Sequence, residues 1–127
     1  MTKQWLIFQV SGQGPYFGQA TWFARFHPEK LPSAIDRYIN EIDRVTGVLD
    51  AALQDNDWLV GGKCTYADLS FITWASVAKG LLVQLGKLDI LEKYPHYLRW
   101  MKAMEERPVV KQANESIAEG RKAHGLQ

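Results

Sequence analysis

The segment Trp58-Leu59-Val60-Gly61-Gly62-Lys63-Cys64-Thr65-Tyr66-Ala67-Asp68-Leu69 narrows the folds open to this chain more than any other stretch. It reads as an apolar anchor, a glycine turn and then a helix start. Thr65 is a good N-cap, because its hydroxyl can accept a hydrogen bond from the amide three residues on, and Asp68 at that third position can reach back to the Thr65 amide. Capping boxes usually carry Glu or Gln there; the shorter Asp meets the same donors and suits the positive end of the helix dipole. On this reading both residues are structural, and Asp68→Ala costs about 1–2 kcal/mol, the value of one cap. The residues that follow, Leu69 to Ala78, are apolar on nearly every face, so this helix is expected at the buried centre of a helical domain, ending near Lys79-Gly80.

The rest of the chain reads as helix too. The first helical segment runs from about Lys3 to Phe26 and is interrupted at Ser11-Gly12-Gln13-Gly14-Pro15, where Pro15 restarts it as a first-turn residue. The Gly-x-Gly there is no phosphate loop, since no strand precedes it and no Lys-Ser/Thr follows. A two-proline connector, His27 to Pro32, leads to the longest periodic element, about Ser33 to Gln54. Its stripe of Ile35, Tyr38, Ile39, Ile42, Val45, Leu49, Ala52 and Leu53 recurs at three- and four-residue steps. Gly47 inside it costs about 1 kcal/mol relative to Ala unless a close backbone approach uses it. Leu81 to Ile90 reads as a short helix with a turn at Gly86. Another helix starts at Pro95, runs to Glu106 and buries Leu98, Trp100 and Met101. Arg107-Pro108 opens a last one with inner residues Val109, Val110, Ala113 and Ile117, and a frayed tail from Gly120. No strand, repeat or low-complexity segment stands out. The fold class is all-α, one helical bundle spanning residues 1–127.

With 15 basic and 14 acidic residues spread along the chain, no basic block points to nucleic acid or an anionic membrane. No run is long enough to cross a bilayer, and Met1-Thr2-Lys3-Gln4-Trp5 does not lead into a signal sequence. The single cysteine, Cys64, excludes an internal disulfide framework. These features lead us to expect a soluble, cytoplasmic protein. Each of the five tryptophans is expected to anchor the core or an interface.

A bare Thr-x-x-Asp is common, but the longer pattern W-L-x-G-x-x-x-T-x-A-D over Trp58–Asp68 resembles the C-terminal all-helical domain of glutathione transferases, where this box nucleates the central helix. Within that superfamily the chain looks most like the branch of the fungal nitrogen-regulator prion-type proteins and the bacterial disulfide-bond oxidoreductases. The residues carrying that match are Gln4-Trp5-Leu6-Ile7-Phe8-Gln9, Gly12-Gln13-Gly14-Pro15-Tyr16-Phe17-Gly18-Gln19, Ala34-Ile35-Asp36-Arg37-Tyr38, Tyr94-Pro95 with Trp100, and Arg107-Pro108. The resemblance implies a two-domain enzyme whose thioredoxin-like half holds most of the glutathione co-substrate, while the helical half adds the electrophile pocket, part of the glutathione site and part of a homodimer interface. This sequence starts almost directly on the first helix of the second domain. By itself, therefore, it is not expected to form the usual glutathione site, unless a thioredoxin-like domain is supplied in trans.

The resemblance makes Arg37 the glutathione-binding candidate. A guanidinium can grip a carboxylate with two parallel bonds; the plainer alternative is a surface ion pair with Glu41 one turn on. By resemblance Gln13, Tyr16, Phe17, Gln19 and Trp22 line the electrophile pocket; otherwise these rings pack into the bundle. Cys64 reads as a small apolar packing group, the alternative being a thiol made reactive by the helix N-terminus. No metal site is expected, since His27, His96 and His124 lack ligand spacing, and no catalytic residue is assigned. The implied chemistry is thiol conjugation or thiol–disulfide exchange with glutathione. The alternative is a stand-alone helical protein-interaction module.

Overall fold

In the computed structural model, which describes residues 1–126, the chain is all helical. The first rod comprises α1 (Thr2–Phe8), a π-helical stretch (Gln9–Gln13), α2 (Gly14–Thr21) and a second π-helical stretch (Trp22–Phe26). Then follow α3 (Pro32–Ala52), α4 (Tyr66–Leu69), α5 (Ile72–Gln84), α6 (Asp89–Glu92), α7 (Pro95–Glu105) and α8 (Pro108–Ala123).

The first rod bends without breaking. Pro15 has no N–H to donate and its ring would crowd the carbonyl one turn back. The chain meets this by widening: the Gly14 amide donates to the Gln9 carbonyl, five residues back, and α2 follows with Pro15 in its first turn. The neighbouring glycines serve packing. A Cβ on Gly18 would lie 3.3 Å from the Trp74 ring, so the absence of a side chain lets α2 cross close to α5.

The stripe on α3 faces inward as its period requires. Ile39, Ile42, Val45, Leu49 and Leu53 are buried, with Ile35, Tyr38 and Ala52 packed at the margin. They meet Phe17, Ala20 and Ala24 from the first rod, Phe71, Ala75, Leu81 and Leu82 from the centre, and Tyr97, Trp100 and Met104 from α7. A polar seam locks α7 to α3. Asp50 accepts the Tyr97 amide at 2.8 Å, so an aspartate on one helix caps the start of another. Arg99 donates to the Leu53 and Asn56 carbonyls, both at 2.9 Å, closing the end of α3. Asp43 accepts from Lys93 and from the Tyr94 hydroxyl, and the Tyr94 ring lies against Gly47, which is the close approach that explains a glycine there.

The capping box is present, and it does more than cap. The Thr65 hydroxyl accepts from the Ala67 amide at 3.2 Å, and Asp68 Oδ2 accepts the Thr65 amide at 2.9 Å. The other oxygen, Oδ1, accepts the Leu59 amide at 2.9 Å and the Trp100 indole N–H at 2.8 Å. Asp68 is 0% exposed, so one carboxylate joins the helix start, the loop before it and α7.

Several expectations need correction. The central rod is split at Ser70-Phe71 and runs past Gly80 to Gln84. Its end is a Schellman cap at Gly86 (φ +68°), where the Lys87 amide donates to the Leu82 carbonyl at 2.8 Å. It is not buried all round: Thr73, Lys79 and Val83 face outward, because so few helices cannot surround it. Leu98 is exposed, and α7 instead buries Tyr97, Trp100, Met101 and Met104. On α8 only Val110 is buried, while Val109 and Ile117 are 71% and 52% exposed, and Ile117 borders an open groove against Thr73, Ser76 and Val77 of α5. The tail from Gly120 continues as helix to Ala123 and closes on a second Schellman cap at Gly125 (φ +66°), with the Leu126 amide on the Arg121 carbonyl. The last residue of that expected frayed tail, Gln127, lies outside the described residues.

Candidate functional site

The candidate site lies where α2 and the second π-helical stretch pack on the start of α3. Tyr38 is its keystone. The Tyr16 ring lies 6.3 Å from it, and Phe23 stacks on it at 5.7 Å with ring planes 10° apart. Phe23 in turn meets His27 at 5.3 Å, and Trp22 stacks on Phe26 at 6.1 Å. The result is a row of rings in which Trp22 and Phe26 are 48% and 64% exposed. The row exists because the His27 amide donates five residues back, to the Trp22 carbonyl at 2.9 Å, which carries the helix through Phe26 before the prolines turn it.

Arg37 sits beside this row with its guanidinium carbon 5.9 Å from the centre of the Tyr38 ring, within reach of a cation–π contact. The plainer pairing with Glu41 does not form. Glu41 is held by Arg44 at 2.9 Å instead, and Arg37 makes no ion pair among the described residues. Its side chain is exposed.

The other sequence candidates divide. Tyr16 is half-buried against Tyr38, while Gln19 and Trp22 are exposed. Gln13 and Phe17 turn inward instead. Gln13 is 0% exposed and donates to the Phe71 carbonyl at 3.0 Å, where the central rod is split. Phe17 is 2% exposed within the core. The one-turn spacing of Gln13, Phe17 and Ala20 puts all three on one buried face of the rod. Sequence reasoning gave no site role to Tyr38, Phe23, His27 or Phe26. The signal was there in part, since Trp22 and Phe26 are one helical turn apart, but Tyr38 comes from another helix. Asp68 is buried and Thr65 half-buried, and the two are joined in the capping box.

Cys64 is half-buried, with its Sγ 3.9 Å from the Thr65 carbonyl. Burial pushes its thiol up, which outweighs the lowering by Arg107. That is the environment of a packing residue and not of a nucleophile.

The model of the glutathione S-transferase C-terminal domain matches residues 15–108, with the capping box and the Tyr16–Tyr38 pair inside it. The chain belongs to this family. Among curated relatives, the glutathione S-transferase-like protein tpcF of Aspergillus fumigatus is 47% identical over 125 residues, covering 92% of this chain and 55% of that protein. Glutathione S-transferase 2 of Schizosaccharomyces pombe is 43% identical over 129 residues, covering 95% and 56%. Among solved structures, the glutathione transferase URE2P6 of Phanerochaete chrysosporium, in complex with oxidized glutathione, is similar with a TM-score of 0.85 at 47% identity, over 93% of this chain and 53% of that one. The transferase helical domain described here thus spans about half the length of the curated relatives it matches. No helix among its described residues is long and apolar enough to cross a membrane.

Proposed function

We propose that this domain supplies the helical share of a glutathione transferase site, with Arg37 gripping a carboxylate of glutathione and the Tyr16, Tyr38 and Trp22 rings forming one wall for an apolar electrophile. The observation that carries the reading is the state of Arg37. Its guanidinium is exposed and makes no ion pair among the described residues, although a glutamate lies one turn away, and it borders an aromatic surface. A surface arginine with no acid partner beside stacked rings suits a ligand with one anionic and one apolar end. The solved relative holding oxidized glutathione, and the transferase names of the two curated relatives above, favour glutathione as that ligand.

The chemistry would be attack of the glutathione thiolate on carbon or sulfur of the electrophile. A new S–C or S–S bond forms as the leaving group departs with its electron pair. Stabilisation of the thiolate falls to a thioredoxin-like domain, joined to this one or met in trans, and the rate comes from holding the two reactants together. We further propose that residues 1–127 act as one domain, that Gln19 borders the pocket, and that the assembled protein is a cytoplasmic homodimer needing no metal.

The test is a titration of the chain with glutathione, followed by two-dimensional amide NMR. The expected result is millimolar binding that moves the amides of Arg37, Tyr38 and Tyr16, and weakens about tenfold in Arg37→Gln, as loss of a charge-assisted bond requires. Binding unaltered by Arg37→Gln, or no shifts near Arg37 with millimolar glutathione, would overturn the assignment.

A further inference from the structure

A cavity of about 200 Å³ opens between α5 and α7, away from the Arg37 face. Its making follows from helical spacing. Tyr97, Met101 and Glu105 lie one turn apart along α7, and Ala75 and Lys79 one turn apart along α5, so each helix offers an apolar floor and a charged rim. Leu91 from α6 closes one end.

Tyr97 is the unusual member. It is 3% exposed, and its backbone amide is taken by Asp50, yet its hydroxyl has no hydrogen-bond partner among the described residues. Among the described residues the fully enclosed side-chain polar atom without a partner is the indole nitrogen of Trp5, so the Tyr97 hydroxyl keeps access to water and can exchange that water for a ligand. Burial pushes the Tyr97 phenol well above the usual tyrosine range, with Glu105 adding to the effect, so it stays protonated and can donate. At the rim, Lys79 and Lys102 come from the two walls, and neither forms an ion pair among the described residues. Glu105 is the one acid on the lining.

We propose that this cavity binds a small aromatic carboxylate, its ring on Ala75, Leu91 and Met101, its carboxylate accepting from the Tyr97 hydroxyl and paired with Lys79 and Lys102. The size admits a single ring and excludes anything as large as a peptide. The excess of lysine over glutamate at the mouth selects an anion, and the apolar floor selects a flat hydrocarbon body over a free inorganic ion. The site stands apart from the Arg37 face and does not depend on the transferase reading.

Sodium benzoate is the probe, titrated into the chain by two-dimensional amide NMR, with benzyl alcohol as its neutral counterpart. Binding is expected at a dissociation constant on the order of millimolar, as suits so few atoms, with shifts at Ala75, Tyr97 and Met101. Benzyl alcohol and the Tyr97→Phe variant should each weaken binding about fivefold. The rim variants must move in opposite directions: Lys102→Gln weaker, Glu105→Gln tighter. That opposition separates a binding role from a structural one, and Lys102 is exposed and Glu105 only half-buried, where folding tolerates the change. Shifts confined to other regions, no shift at about ten times the expected constant, or equal affinity for Glu105→Gln and the parent would overturn the proposal.

Discussion

Asp68 offers the sharpest test of how this domain is held together. As a plain N-terminal cap its loss would cost about 1–2 kcal/mol. The structure asks for more. Asp68→Ala removes the acceptor of three N–H groups: those of Thr65, Leu59 and Trp100. The bonds to Leu59 and Trp100 are buried, and Asp68 itself is 0% exposed, so water cannot easily replace it. Each orphaned buried donor carries a penalty of about 1–3 kcal/mol. These do not add fully, because the loop at Leu59 can relax, so about 3–5 kcal/mol is expected, in the range of breaking a buried charged contact. For a domain of this size that lowers the melting temperature by about 10–25 °C. Asp68→Asn keeps the shape and one acceptor oxygen but points an amide at a donor, so it should fall between parent and alanine. Thr65→Ala loses the bond from the Ala67 amide and a long one, 3.5 Å, to Asp68 Oδ2, and should cost about 1 kcal/mol. The assay is urea unfolding of the three variants at neutral pH. If Asp68→Ala proved no more damaging than Thr65→Ala, the reading of Asp68 as the joint between helix, loop and α7 would be refuted.

Two further outcomes are expected. Burial raises the Asp43 carboxyl, but hydrogen bonds from Lys93 and Tyr94 outweigh this and hold it below the usual carboxylate range. A group lowered on folding contributes stability above its unfolded value and loses it as pH falls through the folded one. Urea midpoints measured from pH 6 down to about pH 3 should therefore fall less steeply in Asp43→Asn than in the parent; identical slopes would remove Asp43 from the acid response. The Cys64 thiol, raised by burial, should react with iodoacetamide at neutral pH more slowly than free cysteine, and a faster reaction would revive the activated-thiol reading.

Sequence and structure agree where the physics is local or periodic. The helix start at Thr65 depends on groups two and three residues apart, and the buried face of α3 depends on a repeat of 3.6 residues, so both were legible without coordinates. The same reasoning misread α8. An apolar stripe says which face could be buried, but not whether anything is there to bury it, and Val109 and Ile117 remain exposed.

What the amino-acid order determined by itself is an all-helical chain of the transferase type, with its central helix begun by Thr65 and Asp68. Tertiary structure alone decided the partners. It set Trp100 on Asp68 across 32 positions and Gln13 on the Phe71 carbonyl across 58, and it gave Glu41 to Arg44, leaving Arg37 beside Tyr38 with no ion pair among the described residues. It also placed Tyr97 on the lining of a cavity between α5 and α7. Hydrogen-bond partners so far apart are brought together by the crossing of helices, and the crossing is set by how closely side chains such as Trp74 can lie on Gly18. No spacing along the chain records that.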